Sequence, residues 1–218
     1  MPKYKAAVFD MDGTILNTLD DMTASANYTL NKMGFPERTI DEIRMFVGNG
    51  IPKLVERMVP AGTSEEDVKK SLAIFMDYYP KHSMDRTRPY EGIVELLKKL
   101  KDSGIKLACV SNKADAAMKD LCVQFFDGLF DDAEGERTGV NKKPAPDMVW
   151  MALDKLGVTK DEAAYIGDSN VDYETAVNSG LSCISVSWGF RSRKSLEDLG
   201  SKCIVDEPFE VYDEIMGR

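Results

Sequence analysis

One histidine in 218 residues leaves this chain poorly supplied for imidazole chemistry. That residue, His82, stands among Lys81, Ser83 and Asp85, a polar setting expected of a solvated connection rather than of a general base. Cysteine is sparse as well. Cys109, Cys122, Cys183 and Cys203 are too far apart to form the close pairs of a zinc site, and free, buried thiols are expected. No apolar run approaches the length needed to cross a bilayer, and Met1-Pro2-Lys3-Tyr4 opens without a signal-like stretch, so the expected location is the cytoplasm, away from membranes. Positive charge is in deficit, with 28 Lys and Arg against 37 Asp and Glu and a net charge of -9. With no basic block to track a phosphate backbone, nucleic acid is not an expected partner. Any anionic substrate must then be held by a local arrangement of lysine, backbone N–H groups and a bound metal.

A hydrophobic content of 43% suffices for one sizeable domain and a smaller insert. After residue 85 the pattern alternates between strand-like apolar runs and helical periods, the mark of an α/β fold with a parallel sheet. Strands are expected at Lys5–Phe9, Ile105–Val110, Ala163–Gly167 and Leu181–Val186, a short edge strand at Lys202–Asp206, and a further one at Gly128–Asp132. Helices are expected at Gly92–Ser103 and Asp147–Leu156. Residues 16–85 break the alternation with consecutive helices at Leu19–Met33, Ile40–Phe46, Ile51–Met58 and Glu65–Tyr79. Thr18 with Asp21 and Thr39 with Glu42 have capping-box spacing. The division is therefore a sheet domain of residues 1–15 and 86–218, with a helical domain of residues 16–85 inserted as a lid above the carboxyl ends of the strands. The twelve methionines suit core filling between small helices.

Four strand ends carry the chemistry. Asp10 and Asp12 close the first strand, with Gly13 permitting a tight turn, although Asp-Gly is also an ordinary turn signal. Ser111-Asn112 follow the second strand and offer hydrogen-bond donors or a plain helix cap. Lys143 is set before Pro144-Ala145-Pro146, better positioned than a surface lysine in a free loop. Asp168-Ser169 and Asp172 supply hard oxygen ligands or, again, a helix cap. A parallel sheet brings all four to one edge.

In that order these stretches resemble the four motifs of the haloacid dehalogenase-like superfamily of phosphotransferases. Asp10-Met11-Asp12-Gly13-Thr14 matches the first, Ser111-Asn112 the second, Lys143-Pro144-Ala145-Pro146 the third, and Gly167-Asp168-Ser169 with Asp172 the fourth. The resemblance implies a Rossmann-like parallel sheet core with an inserted α-helical cap of the C1 type. It also implies an Mg2+-dependent phosphatase working through an aspartyl-phosphate. Asp10 would be the nucleophile and Asp12 the general acid/base, with Ser111 and Lys143 on the phosphoryl oxygens. Thr14 would anchor the catalytic loop, and Gly13 and Asn112 would support the site. The metal would be held by Asp10, the backbone carbonyl of Asp12 and Asp168, with Asp172 either a ligand or an orienting group.

Within the superfamily, Asp12 argues against dehalogenases, which lack the second aspartate. Thr18-Leu19-Asp20-Asp21-Met22, without a histidine, argues against sugar phosphomutases. The stretch Phe46 to Arg57 resembles the cap loop of phosphoglycolate phosphatases, and Arg44, Gly48, Asn49, Gly50 and Lys53 are its candidates for substrate selection. Ser187-Trp188-Gly189-Phe190 resembles the same subgroup, whereas Arg191, Arg193 and Lys194 read as a solvated face. The expected substrate is a small phosphorylated metabolite, preferably 2-phosphoglycolate. Pyrophosphate, nucleotides and sugar phosphates are the alternatives within the superfamily, followed by phosphomutase activity, and a phosphate-binding regulatory module is the alternative that is not an enzyme.

Overall fold

The computed structural model describes residues 2–218, which form two compact units, one of residues 2–16 with Pro89–Arg218 and one of Asn17–Arg88. The first unit is built on six parallel strands: β1 (Ala6–Phe9), β4 (Lys106–Ala114), β5 (Asp132–Glu136), β6 (Ala163–Gly167), β7 (Ser182–Val186) and β8 (Ile204–Val205), in the order β5-β4-β1-β6-β7-β8. From β1 the chain continues to one side of the sheet, and from β6 to the other. The carboxyl ends of β1 and β6 therefore flank the topological switch point, where open α/β sheets bind ligands. Two short strands, β2 (Leu16–Asn17) and β3 (Arg88–Pro89), pair separately where the chain passes between the units.

Strand alternation distributes the core over both faces. Ala7 and Phe9 of β1 and Ala164 and Ile166 of β6 face one cluster, packed against Leu96, Leu97 and Leu100 of α5 (Ile93–Asp102), Met118 and Leu121 of α6 (Asp115–Phe126), and Val211 and Ile215 of α10 (Pro208–Met216). Ala6, Val8, Ala163 and Tyr165 face the other, against Met148, Val149, Ala152 and Leu153 of α7 (Asp147–Leu156) and Ala176 of α8 (Asn170–Ser179). A further short helix, α9 (Arg193–Asp198), precedes β8. Among the described residues no helix is long and apolar enough to cross a membrane.

The second unit is helical: α1 (Leu19–Lys32), α2 (Ile40–Phe46), α3 (Ile51–Met58) and α4 (Glu65–His82). The capping box of Thr39 and Glu42 is present. At Thr18 it is not, because its expected partner is engaged elsewhere. The buried Asp21 carboxylate accepts from the Arg86 N–H at 3.0 Å and the Thr87 N–H at 2.8 Å, a stronger arrangement than one cap bond. Helix α4 also runs three residues beyond the expected Tyr79, through Pro80.

The strand expected at Gly128–Asp132 begins where that stretch ends. Residues 127–131 turn out of α6, with the Leu129 N–H on the Phe126 carbonyl, and β5 is Asp-Ala-Glu-Gly-Glu, without a single β-branched residue. Its buried Glu134 is neutralised by Arg137 and Lys155.

Candidate active site

The turn after β1 is drawn tight by three N–H groups, those of Thr14, Ile15 and Leu16, all directed at the Met11 carbonyl. Gly13 has φ +93°, and a Cβ there would meet the Asp168 carboxylate at 2.5 Å, so only glycine lets the turn lie against that side chain. Asp10 ends β1, and its N–H donates to the Ile166 carbonyl of β6 at 2.8 Å.

Lys143 reaches the same place from the loop before α7. Its Nζ, with three N–H groups to share, lies within hydrogen-bond distance of Asp10 Oδ1 at 2.5 Å, Asp172 Oδ1 at 2.8 Å, the Tyr165 hydroxyl at 3.0 Å and the Val110 carbonyl at 3.2 Å. Its backbone is held by Asn112, whose side chain accepts from the Lys143 N–H at 2.8 Å and donates to the Lys143 carbonyl at 3.0 Å. Burial opposes the ammonium charge, yet the Asp10 and Asp172 carboxylates keep its pKa well above the usual lysine value.

Asp168 follows β6, accepting from the Phe190 N–H at 2.6 Å and the Thr14 hydroxyl at 3.3 Å. Asp172 sits one helical turn later, where Ser169 caps α8. Its Oδ2 accepts from the Ser169 N–H and hydroxyl, and its Oδ1 from Tyr165 and Lys143. Ser169 thus caps α8 while Asp172 pairs with the Lys143 ammonium. Oxygen atoms of Asp10, Asp168 and Asp172 all lie within 4.8 Å of one another. Burial, followed by Asp172, raises the pKa of Asp10, and the same two causes push Asp168 up to about 7. Crowded, desolvated carboxylates with only oxygen donors fit a hard divalent cation of the magnesium class.

Asp12 turns from this cluster to Lys113, whose Nζ lies 3.2 Å from its Oδ1. Ser111 is buried beside it, its hydroxyl accepting from the Lys113 N–H at 3.1 Å rather than capping α6, which begins after Ala114. The remaining expected residues belong to the helical unit. There Arg44 pairs with Asp41, Lys53 with Glu56, and Asn49 accepts from Arg57, between Gly48 and Gly50 at φ +118° and +86°.

The family model for haloacid dehalogenase-like hydrolases matches residues 7–186. The chain belongs to the haloacid dehalogenase-like hydrolase family. It is 30% identical over 211 residues to a phosphoglycolate phosphatase of Thiobacillus denitrificans, covering 92% of this chain and 91% of the relative. It is 28% identical over 209 residues to one of Pseudomonas putida, covering 93% and 76%. A crystal structure from Lactobacillus delbrueckii subsp. bulgaricus, of a protein provisionally assigned as a phosphoglycolate phosphatase, superposes with a TM-score of 0.95 at 39% identity, covering 99% of this chain and 100% of that one. Within the family, this chain is a phosphatase.

Several contacts of this haloacid dehalogenase-like site escape a reading of motifs. The Trp188 indole N–H donates to the Thr14 carbonyl at 3.0 Å, and a Cβ at Gly189 would strike the Gly13 carbonyl and the Asp168 side chain. The loop 187–190 therefore buttresses the turn after β1. Tyr165 carried a usable signal, because a phenol in a fully buried strand must find a polar partner. Arg193 and Lys194 pair at the surface with Asp206 and Asp198, as a solvated face should, whereas Arg191 is half-buried and its charge acts on Asp168.

Proposed function

We propose that the protein is a magnesium-dependent phosphomonoesterase that hydrolyses a small phosphorylated acid, with 2-phosphoglycolate preferred, through a phosphorylated Asp10. The observation that carries this reading is the buried Lys143 ammonium shared by Asp10 and Asp172 beside Asp168. It leaves one Asp10 oxygen pinned and the other for attack. Asp10 displaces the ester oxygen from phosphorus in line while Asp12 gives that oxygen a proton. Asp12 then takes a proton from water, which attacks the phosphorus of the acyl phosphate, releasing inorganic phosphate and restoring the Asp10 carboxylate. Lys143 and Ser111 bind the non-bridging oxygens. Asp10, Asp168 and the Asp12 backbone carbonyl would hold Mg2+, which when bound offsets the repulsion between anionic nucleophile and anionic phosphate. The four donors already on Asp172 favour the orienting role for it.

The same reading gives Arg44, Gly48, Asn49, Gly50 and Lys53 to substrate selection. It is supported by a fixed loop, since Arg57 donates to the Phe46 carbonyl at 2.8 Å and to Asn49 at 2.9 Å. The names of the relatives support phosphoglycolate as the preferred ester.

Phosphate release should be measured with Mg2+ on 2-phosphoglycolate, a sugar phosphate, a nucleoside monophosphate and pyrophosphate. The expected outcome is the highest kcat/KM on 2-phosphoglycolate and loss of all turnover with a chelator. Equal turnover of the whole panel would overturn the substrate assignment. Gly189→Ala presses on the Asp168 side chain and on the Gly13 carbonyl while leaving Asp10, Asp12 and Lys143 unsubstituted. It is expected to raise the Mg2+ concentration for half-maximal activity by about 10- to 100-fold, read from a metal titration at saturating substrate.

A further inference from the structure

Among the described residues two lysines are buried, and they face different parts of the site. Lys143 lies on Asp10 and Asp172, whereas Lys113 lies on Asp12 with its side chain 5% exposed. A break in the sheet places it there. Val110 of β4 pairs with Glu134 of β5, and Ala114 with Glu136, so that Ser111, Asn112 and Lys113 stand opposite Gly135 alone. Such a bulge re-aims side chains that regular pleating would send to alternate faces. Here Asn112 reaches the Lys143 backbone and Lys113 reaches Asp12. Gly135 makes the bulge possible, since a Cβ there would strike the Asp115 backbone and come within 2.9 Å of the Lys113 carbonyl. Lys113 is thus held by buried backbone, not left to swing as a surface lysine does.

Asp12 is the more open of the pair, its side chain 18% exposed. In the reaction proposed above it meets the ester oxygen as the alcohol departs. A fixed ammonium behind that carboxylate puts positive charge on the leaving-group side of phosphorus, separate from the charge on the phosphoryl side, in a chain whose net charge is -9. We propose that Lys113 selects esters whose leaving alcohol carries a negative charge close to the ester oxygen, a phosphorylated hydroxy acid, over uncharged alcohols of equal size. The inference rests on Asp12 serving the leaving oxygen.

The test compares 2-phosphoglycolate with 2-hydroxyethyl phosphate, which replaces the carboxylate by a neutral group, in wild type, Lys113→Met and Lys113→Arg. Wild type is expected to favour the charged ester by about 100-fold in kcat/KM. Lys113→Met should cut that ratio to about 5 or less, chiefly through loss on the charged ester, while Lys113→Arg keeps about tenfold. Competitive inhibition by glycolate should weaken by about tenfold in Lys113→Met, a binding readout that needs no turnover of the charged ester. Parallel losses on both esters in Lys113→Met, with the ratio unchanged, would overturn this inference alone. A wild-type enzyme that cleaves only uncharged-alcohol phosphates would overturn it together with the phosphoglycolate assignment. Should Lys113→Met not fold, loss of the preference in a folded Lys113→Arg overturns the inference, and its retention supports it.

Discussion

Asp10→Asn is expected to lower magnesium-dependent phosphate release by on the order of 10⁴-fold or more, because an amide of the same shape cannot attack phosphorus. The substitution leaves volume nearly unchanged in a site where Asp10 is 6% exposed, so packing is not disturbed. It also removes one of three crowded carboxylates whose mutual repulsion and burial hold the Asp10 pKa high. The variant should therefore melt no lower than wild type without metal, which separates lost chemistry from lost fold. Acid-quenched enzyme after brief exposure to labelled phosphoester should carry label in wild type and none in Asp10→Asn. Asp12→Asn should differ in kind, since it removes the proton donor and leaves the nucleophile and its Lys143 contact in place. Phosphate release by Asp10→Asn at a wild-type rate would rule out the covalent route.

What the sequence disclosed of this site follows from how parallel sheets are written. Ala6–Phe9 and Ala163–Gly167 are buried on both faces and so read as continuous apolar runs, and a polar residue at the end of such a run stands out. Strand β5 gave no such signal. It lies at the sheet edge, where Glu134 is tolerated because Lys155 and Arg137 arrive from outside the strand. Local spacing misled at Thr18 for a related reason. Asp21 is bound to backbone 65 and 66 residues further on, and a tertiary set of donors displaces a cap that spacing alone suggests. The Trp188 contact spans 174 residues and the Lys143 contact with Asp10 spans 133, and although both residues lay in recognised stretches, only for the second did the motif indicate what it contacts. The bulge at Ser111–Lys113 depends on which residue of β5 stands opposite, which no single segment encodes. It turns a run that reads as a strand end or helix cap into three differently directed side chains.

The clustering of carboxylates that suits the site for a cation should make the metal-free protein pH-sensitive in an unusual direction. Burial and Asp172 push the Asp168 pKa up to about 7, whereas the unfolded chain loses this proton near the ordinary value of about 3.9. Between those limits the folded state binds the extra proton. The contribution of Asp168 to stability is therefore complete below about pH 4 and is lost as pH rises through about 7. Asp10, raised by the same two causes, acts in the same direction. A divalent cation needs the ionised carboxylates and relieves their repulsion, so its stabilising effect should be greatest where the metal-free protein is weakest. Thermal melts with and without millimolar Mg2+ should show a shift at pH 8 at least about threefold larger than at pH 5.5. Asp168→Asn supplies the decisive comparison. Its side-chain oxygen can still accept from the Phe190 N–H, while the buried charge is gone. It should raise the metal-free melting temperature at pH 8, by several degrees for about 1–2 kcal/mol, and nearly abolish both the magnesium shift and phosphate release. A variant that lost stability at pH 8 while keeping the full magnesium shift would show that Asp168 neither crowds this cluster nor holds its cation.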